Sequence, residues 1–235
     1  MNAPRTARDR ARAELTTTIK DAARRHLAVD GTAGLSLRAV ARELEMSSSA
    51  LYRYFASRDD LLTALITDAY DSLGAAAERA DARHRPTDDL VGRWMAVCRA
   101  VRSWALAHPH EYALVYGTPI PGYAAPDDTV GPATRVPGVM SALVRQGLAD
   151  GTLVSATGPE GKVDDMLQPD VEALRAQMFA GVPDDVVVRS LTAWSGVFGV
   201  VSFEVFGHYD GVIDQREAWF DVACRRLARL VGFPA

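Results

Sequence analysis

Apolar residues recur along this chain at three- and four-residue spacings, the period of an α-helix with one buried face. Leu15, Ile19, Ala22, Ala23 and Leu27 mark such a face from about Asp9 to Val29, and Asp30-Gly31 with Gly34 form the turn that ends it. Leu37, Val40, Ala41 and Leu44 repeat the stripe over a shorter span behind Ser36, a candidate N-cap. Glu45-Met46 is a short turn. Ser47 is a second cap, opening a helix that carries Ala50, Leu51, Tyr54 and Phe55. Ser57 is a third, and Asp60 three residues on approximates the Ser-x-x-acid capping signature. It starts a long helix to about Ala82 with Leu61, Leu62, Leu65, Ile66, Ala69 and Leu73.

Arg83-His84-Arg85-Pro86 then breaks the pattern, and Thr87-Asp88-Asp89 opens a fifth helix to about Ala107. Val91, Trp94, Met95, Cys98, Val101 and Trp104 with Ala105 line its core side, and Pro109 stops it. A short helix His110–Tyr116 follows. Residues 117–138 contain nine Pro or Gly, so a long irregular loop is expected there. It reads either as a flexible mouth over a ligand cavity or as a surface excursion. Val139, Met140, Leu143, Val144 and Leu148 predict a helix ending at Gly151. A loop from Thr152 to Gln168 and a helix around Asp170–Ala180 come next. From Pro183-Asp184-Asp185 to about His208 the chain is apolar nearly all round, which requires cover on every side. A last helix, Asp214–Val231, supplies Trp219, Phe220, Val222, Ala223, Leu227 and Leu230. The pattern throughout is all-α.

Two short helices joined by a tight turn and braced by a third make a helix-turn-helix, whose second helix fits a DNA major groove. The charge distribution agrees. The chain as a whole carries −4, but residues 1–60 hold eleven Arg or Lys against eight Asp or Glu, on a body that is acidic. Arg5, Arg8, Arg10 and Arg12 at the start read as an arm toward DNA phosphates or as solvated surface charge. In the candidate reading helix, Ser47, Ser48 and Ser49 form a first turn that lets the backbone approach DNA. Tyr52 shares their side, and Arg53 has the fork for a guanine edge. Arg58 opens the next helix, suited to a phosphate.

The segment SLRAVARELEMSSSALYRYFASRDDLLTALI closely resembles the DNA-binding domain of tetracycline-repressor-like (TetR-type) regulators. The shared features are Ser-Leu-x-x-Val-Ala, Ala-Leu-Tyr-x-Tyr-Phe, and Ser-basic-acid-acid-Leu-Leu, over roughly residues 13–73. The resemblance implies DNA contacts from Ser36, Ser47, Ser48, Ser49, Tyr52 and Arg58, and Arg38 and Arg53 are candidate contacts beside them. Position 48 is often basic in the family and position 49 often glycine, whereas both are serine here, which bears on the operator sequence rather than on DNA binding. The implied organisation is a basic tail (1–12), the DNA-binding domain (13–73) and a helical regulatory and dimerisation domain (74–235). In the family the long fourth helix carries ligand occupancy to the reading head.

The segment TAWSGVFGVVSFEVFGH also resembles the regulatory domain of a subgroup of these regulators, which pairs two chains through its last two long helices. The small-residue stripe Ser195, Gly199, Ser202, with Phe206, Trp219, Ala223 and Leu227, is the candidate dimer interface. Candidate effector-pocket walls, chosen from aromatic and Met placement, are Trp94, Trp104, Tyr112, Tyr116, Tyr123, Met140, Phe179, Trp194 and Phe198. Glu204 reads as a buried acid with a partner, or as a residue at an exposed helix end.

Other chemistries find little support. Cys98 and Cys224 are the two cysteines, too few for a disulfide scaffold and suited to a reducing cytoplasm. No secretory signal is visible, and the apolar run Leu191–Phe206 is shorter than a bilayer span, so no membrane partner is expected. His108-Pro109-His110-Glu111 has no further Cys or His at zinc spacing and reads as a helix–helix corner rather than a metal site. TAWSGVFG around Ser195 lacks the G-x-S-x-G elbow, and no phosphate-binding glycine loop occurs. Neither an enzyme nor a cofactor is expected. The reading is a cytoplasmic homodimeric repressor that binds double-stranded DNA at a palindromic operator and is released by a small apolar or amphipathic effector. The alternative is a DNA-binding regulator acting without a ligand.

Overall fold

The computed structural model describes residues 6–84, 89–153 and 162–234, and among them every regular element is helical. The chain divides into two units. The first comprises Met1–Tyr70 with His108–Pro132, and the second Asp71–Ala107 with Ala133–Ala235.

The first unit begins with α1 (Ala7–Gly34). Its start lies earlier than the apolar stripe indicates, because Thr6 and Asp9 form a reciprocal capping box. Those hydrogen bonds from Thr6 hold the Asp9 carboxyl below its ordinary range. Residues 7–12 of the expected tail are therefore helical, and the rest of that tail, with Arg5, lies outside the described residues. The helix breaks at Gly31, whose φ of 66° belongs to the left-handed region that glycine tolerates. Next come α2 (Leu37–Glu43), α3 (Ser48–Leu51) and the start of α4 (Arg58–Ala82), a helix with residues in both units. Ile19, Ala22, Ala23, Leu37, Val40, Ala41, Leu51, Leu61, Leu62 and Leu65 close into one core with almost no exposure. Burying a Leu or Ile side chain contributes about 1.5–3 kcal/mol, and these contacts hold the two short helices α2 and α3, of seven and four residues, which have little intrinsic stability.

Residues 108–132 pack in this first unit. Helix α6 (Pro109–Tyr116) lies against α1, Leu114 enters the core, and Glu111 pairs with Arg24 at 3.0 Å. Pro109 is the first residue of α6 rather than only the stop of the preceding helix, since a first-turn proline withholds an N–H that would have no partner.

The second unit contains the end of α4, then α5 (Leu90–Ala107), α8 (Arg135–Ala149), α9 (Gln168–Gln177), α10 (Asp184–Val205) and α11 (Arg216–Val231). The Pro/Gly-rich stretch is more regular than expected. It holds a 3-10 turn at Asp127–Thr129, the short α7 (Val130–Ala133) and the first turn of α8, where Pro137 is tolerated. The expected loop from Thr152 to Gln168 lies partly outside the described residues, as does the break at Arg85-Pro86.

Helix α10 runs 22 residues and is, by length and composition, long and apolar enough to cross a membrane, contrary to the shorter run read from sequence. In the fold it packs against α5, α8, α9 and α11. Its acids are paired: Glu204, buried, takes two bonds from Arg102 at 2.6 and 2.7 Å, and Asp185 takes Arg189 at 2.8 Å.

Candidate nucleic-acid interface

The turn between α2 and α3 is built by the backbone. Glu45 adopts a φ of 54°, and the amides of Glu45 and Met46 return to the carbonyls of Arg42 and Ala41 at 3.2 and 2.9 Å. This is the paired closure of a helix that stops with one left-handed residue. A non-glycine residue there costs roughly 1 kcal/mol, offset by the two bonds and by Met46, which packs on the core.

Ser47 then caps α3: its hydroxyl accepts from the Ala50 amide at 3.2 Å and lies 3.2 Å from the Ser49 hydroxyl. Helix α3 is shorter than its stripe suggests, four residues followed by a turn in which Tyr54 and Phe55 both donate to the Leu51 carbonyl. Leu51 and Phe55 are buried, so the opposite side of this turn faces out. Ser47, Ser48, Ser49, Tyr52 and Arg53 are all exposed there, Tyr52 to 45%. Arg38 on α2 is exposed as well. An exposed tyrosine and arginine beside three serines on an otherwise packed head provide hydroxyls for phosphate and one fork for a base edge.

Two expected residues behave differently. Ser36 occupies the position before α2 in extended backbone, but its side chain makes no capping bond. Arg58 was expected on a phosphate, whereas its guanidinium donates to the carbonyls of Thr32 at 2.6 Å and Leu35 at 3.1 Å. It closes the frayed end of α1, leaving Nη1 near Asp59 at 3.7 Å. Ser57 and Asp60 form the reciprocal capping box that starts α4 and sets this guanidinium in place.

Further ties fix the head. Arg25 on α1 holds Glu43 on α2 at 2.6 Å, keeping that carboxyl below its ordinary range. Lys20 and Arg24 both pair with Asp68 on α4. One residue escaped the sequence reading in its role. Arg12 donates to the Arg53 carbonyl at 3.3 Å, and its Cζ lies 5.4 Å from the centroid of the Tyr54 ring. Forty-one residues separate the two, so no local pattern signals the contact.

The nine candidate pocket residues do not form one cluster within either unit. Tyr112, Tyr116 and Tyr123 belong to the first. The Tyr112 and Tyr116 rings lie 5.1 Å apart, and Tyr116 meets Tyr70 edge-on at 6.0 Å. Burial pushes the phenols of Tyr70 and Tyr116 above their usual range. The Tyr123 hydroxyl is 2.9 Å from that of Thr63. In the second unit, Trp94 is a core residue: its indole donates to the Cys224 carbonyl at 3.2 Å and packs on Phe233. Trp104 donates to Ser72 at 2.9 Å. Met140 and Phe179 are buried. Trp194 and Phe198 pack together at 5.5 Å, and the Trp194 indole N–H is buried with no acceptor among the described residues.

The candidate dimer residues also separate. Leu227 packs inside the chain, because a Cβ at Gly196 would fall 2.7 Å from its Cδ2; α10 and α11 approach closely at that glycine. Ala223 is buried as well. Leu227 therefore lines the α10–α11 seam of its own chain. Trp219 is half-buried against Tyr209. Ser195 and Phe206 are exposed, Ser202 is half-buried, and a Cβ at Gly199 would meet nothing within 4 Å. Leu191 and Phe203 on α10 are exposed as well, and so are Val222 and Leu230 on α11, which the apolar pattern of that helix had grouped with its buried residues. Cover on every side of α10, expected from its composition, is not provided by this chain's described residues.

Residues 19–65 match the family described as bacterial regulatory proteins, tetR family, and residues 94–227 match the tetracyclin repressor-like C-terminal domain. HTH-type transcriptional regulators from Mycobacterium tuberculosis (Rv1816) and Mycobacterium bovis (Mb1846) are 43% identical over 230 residues, covering 94% of both chains. The crystal structure of SCO4313, described as a regulatory protein, superposes with a TM-score of 0.77 at 33% identity, covering 96% of this chain and 98% of that one. A Rhodococcus sp. RHA1 protein of unknown function aligns with a TM-score of 0.65 at 27% identity, over 91% of this chain and 95% of its own.

Proposed function

The chain belongs to the tetracycline-repressor family of transcriptional regulators, DNA-binding proteins rather than enzymes, and on that premise we propose that it is an effector-released homodimeric repressor. Each subunit sets the α3 turn into a major groove, the two copies occupying successive half-sites of a palindromic operator in the bacterial cytoplasm. The observation that carries this reading is the outward row of Ser47, Ser48, Ser49, Tyr52 and Arg53, held on a core that leaves Leu51 no exposure. Ser48, Tyr52 and the serine-turn backbone take phosphates, and Arg53 reads a base pair, with Arg38 beside it.

The exposed apolar residues of α10 and α11 support pairing with a second copy. Leu191, Phe203, Phe206, Val222 and Leu230, with the open Gly199, form a surface whose exposure favours a like partner. The unsatisfied indole of Trp194 supports an effector with a hydrogen-bond acceptor on an otherwise apolar frame, since a buried N–H without a partner is costly. Helix α4 supplies residues to both units and is the route by which occupancy reaches the reading turn.

The test is enrichment of random duplex DNA on the full chain, followed by release of the enriched fragment with a panel of acceptor-bearing apolar metabolites. A two-fold symmetric sequence bound by two chains is expected. An enriched site without symmetry would overturn the dimeric reading, and binding that no metabolite weakens would favour the ligand-free alternative.

A further inference from the structure

Arg12 is engaged with the reading turn. Its Nη2 donates to the carbonyl oxygen of Arg53, and its guanidinium lies over the Tyr54 ring. Within the turn the amides of Tyr54 and Phe55 both return to Leu51, so the Arg53 carbonyl lies beyond that ladder. A four-residue helix with one capping serine has few bonds of its own, and the Arg53–Tyr54 peptide is held within the turn only through its N–H, which donates to Leu51 at 2.8 Å, so Arg12 supplies the partner for its carbonyl. That peptide carries the side chain with the fork for a base edge. A cation at the carbonyl end of a helical turn is favourable, and a guanidinium stacked on an aromatic ring is restrained in direction.

We propose that Arg12 is a positioning residue for sequence recognition: it fixes the Arg53 peptide from α1 and so sets where the Arg53 side chain projects. Arg12 therefore contributes to specificity without touching DNA. The inference rests on the DNA-binding reading above and assigns one residue within it. It differs from both sequence-level readings of this arginine, since a phosphate arm would add affinity at every sequence and a solvated charge would add nothing.

The experiment compares the wild-type chain with Arg12→Gln, Arg12→Lys, Arg53→Gln and the Arg12→Gln/Arg53→Gln pair. Each is titrated with the duplex enriched by the wild type, with single-base variants of it, and with random-sequence duplex, across salt. Arg12 is exposed, so the variants are expected to keep the wild-type unfolding midpoint. Arg12→Gln should lose roughly tenfold for the enriched duplex and little for random duplex, with an unchanged salt slope. Its lost discrimination should fall at the base pair that Arg53→Gln also ceases to read. In the double variant the two losses should not add, because both remove one contact. Arg12→Lys should restore part of the discrimination, since an ammonium can still donate to the carbonyl.

Equal losses on both duplexes with a salt slope reduced by about one would make Arg12 a phosphate contact and overturn the inference. Additive losses, no change on Arg12→Gln, or no base preference lost in Arg53→Gln would overturn it as well. Failure of the wild type to enrich any sequence would instead overturn the DNA-binding reading, and this inference with it.

Discussion

Arg58 donates from Nη2 to the carbonyl oxygen of Thr32 across 2.6 Å while its Nε reaches Leu35 at 3.1 Å. One guanidinium thus closes the end of α1 from the first turn of α4, and a planar fork suits two carbonyls in a way that an ammonium does not. Arg58→Ala is expected to lower the head's stability by about 1–2 kcal/mol, as lost charge-assisted bonds to backbone do. Arg58→Lys should recover only part of it in chemical denaturation. Should lysine restore both stability and DNA affinity, a point charge suffices and the residue acts on phosphate instead.

Tyr52 and Arg53 are exposed, so changing them should leave stability within about 0.5 kcal/mol of wild type. Their effects belong to DNA. Tyr52→Phe is expected to weaken binding at all sequences alike by removing one phosphate-reaching hydroxyl. Arg53→Gln should cost about 1–3 kcal/mol at one base pair and little elsewhere. Titration of the enriched duplex and its single-base variants separates the two patterns; a uniform loss from Arg53→Gln would deny it a reading role.

Gly196 and Gly199 are three positions apart on α10 and predict opposite outcomes. At Gly196 a Cβ would meet Leu227 at 2.7 Å, so Gly196→Leu overpacks the α10–α11 seam and should destabilise by about 1–3 kcal/mol. At Gly199 a Cβ has open space, so Gly199→Leu keeps the subunit fold and places bulk on the exposed apolar face. The expected result is a folded monomer by light scattering, with an unfolding midpoint that no longer depends on protein concentration. Gly199→Leu eluting as a dimer would move the interface elsewhere.

These contrasts show what the sequence could and could not convey. The helix-turn-helix was legible because its stripes are local and its serines precede them: Leu37, Val40 and Ala41 are buried, and Ser47 and Ser57 cap as their spacing implies. The cap at Thr6-x-x-Asp9 has the same form but lies outside the apolar stripe that located the helix. Periodicity separates buried from exposed on one helix but does not say which buried residue meets which. Gly196 rather than Gly199 receives Leu227, Trp94 is core, and α6 packs on α1. The bonds of Arg12 and Arg58 to carbonyls link residues 23 to 41 apart, beyond any local pattern.

The pair Arg99–Asp221 gives a pH dependence of definite sign. The Arg99 guanidinium holds the Asp221 carboxyl below its ordinary value of 3.8, with two bonds of 2.9 and 2.5 Å between α5 and α11. A depressed folded-state pKa adds stability above the unfolded value and loses it as the pH falls through the folded one. Asp221→Asn should therefore lower the unfolding midpoint at pH 7, with the deficit beginning to shrink as the pH drops below about 3.8 and vanishing only below the depressed folded-state value. A deficit that persists unchanged at pH 2–3 would assign the loss to packing rather than charge.

Arg102 and Glu204 test how α10 carries an acid in its core. Glu204 is buried and takes both its bonds from Arg102, whose guanidinium also lies over the Phe220 ring at 5.5 Å. That carboxylate raises the pKa of Arg102 further, so the arginine is charged at every accessible pH. Arg102→Ala removes the partner and leaves a carboxylate buried, an arrangement that costs about 3–5 kcal/mol. Glu204→Gln keeps an acceptor and should cost less. The double variant Arg102→Met/Glu204→Leu replaces the pair with apolar groups of similar size and is expected near wild-type stability, because neither charge is left without its counterion. The unfolding free energies of the wild type, Arg102→Met, Glu204→Leu and the double variant close a double-mutant cycle that gives the coupling between the two residues. Single losses that simply add in the double variant would mean that the bidentate bond contributes nothing beyond its separate side chains.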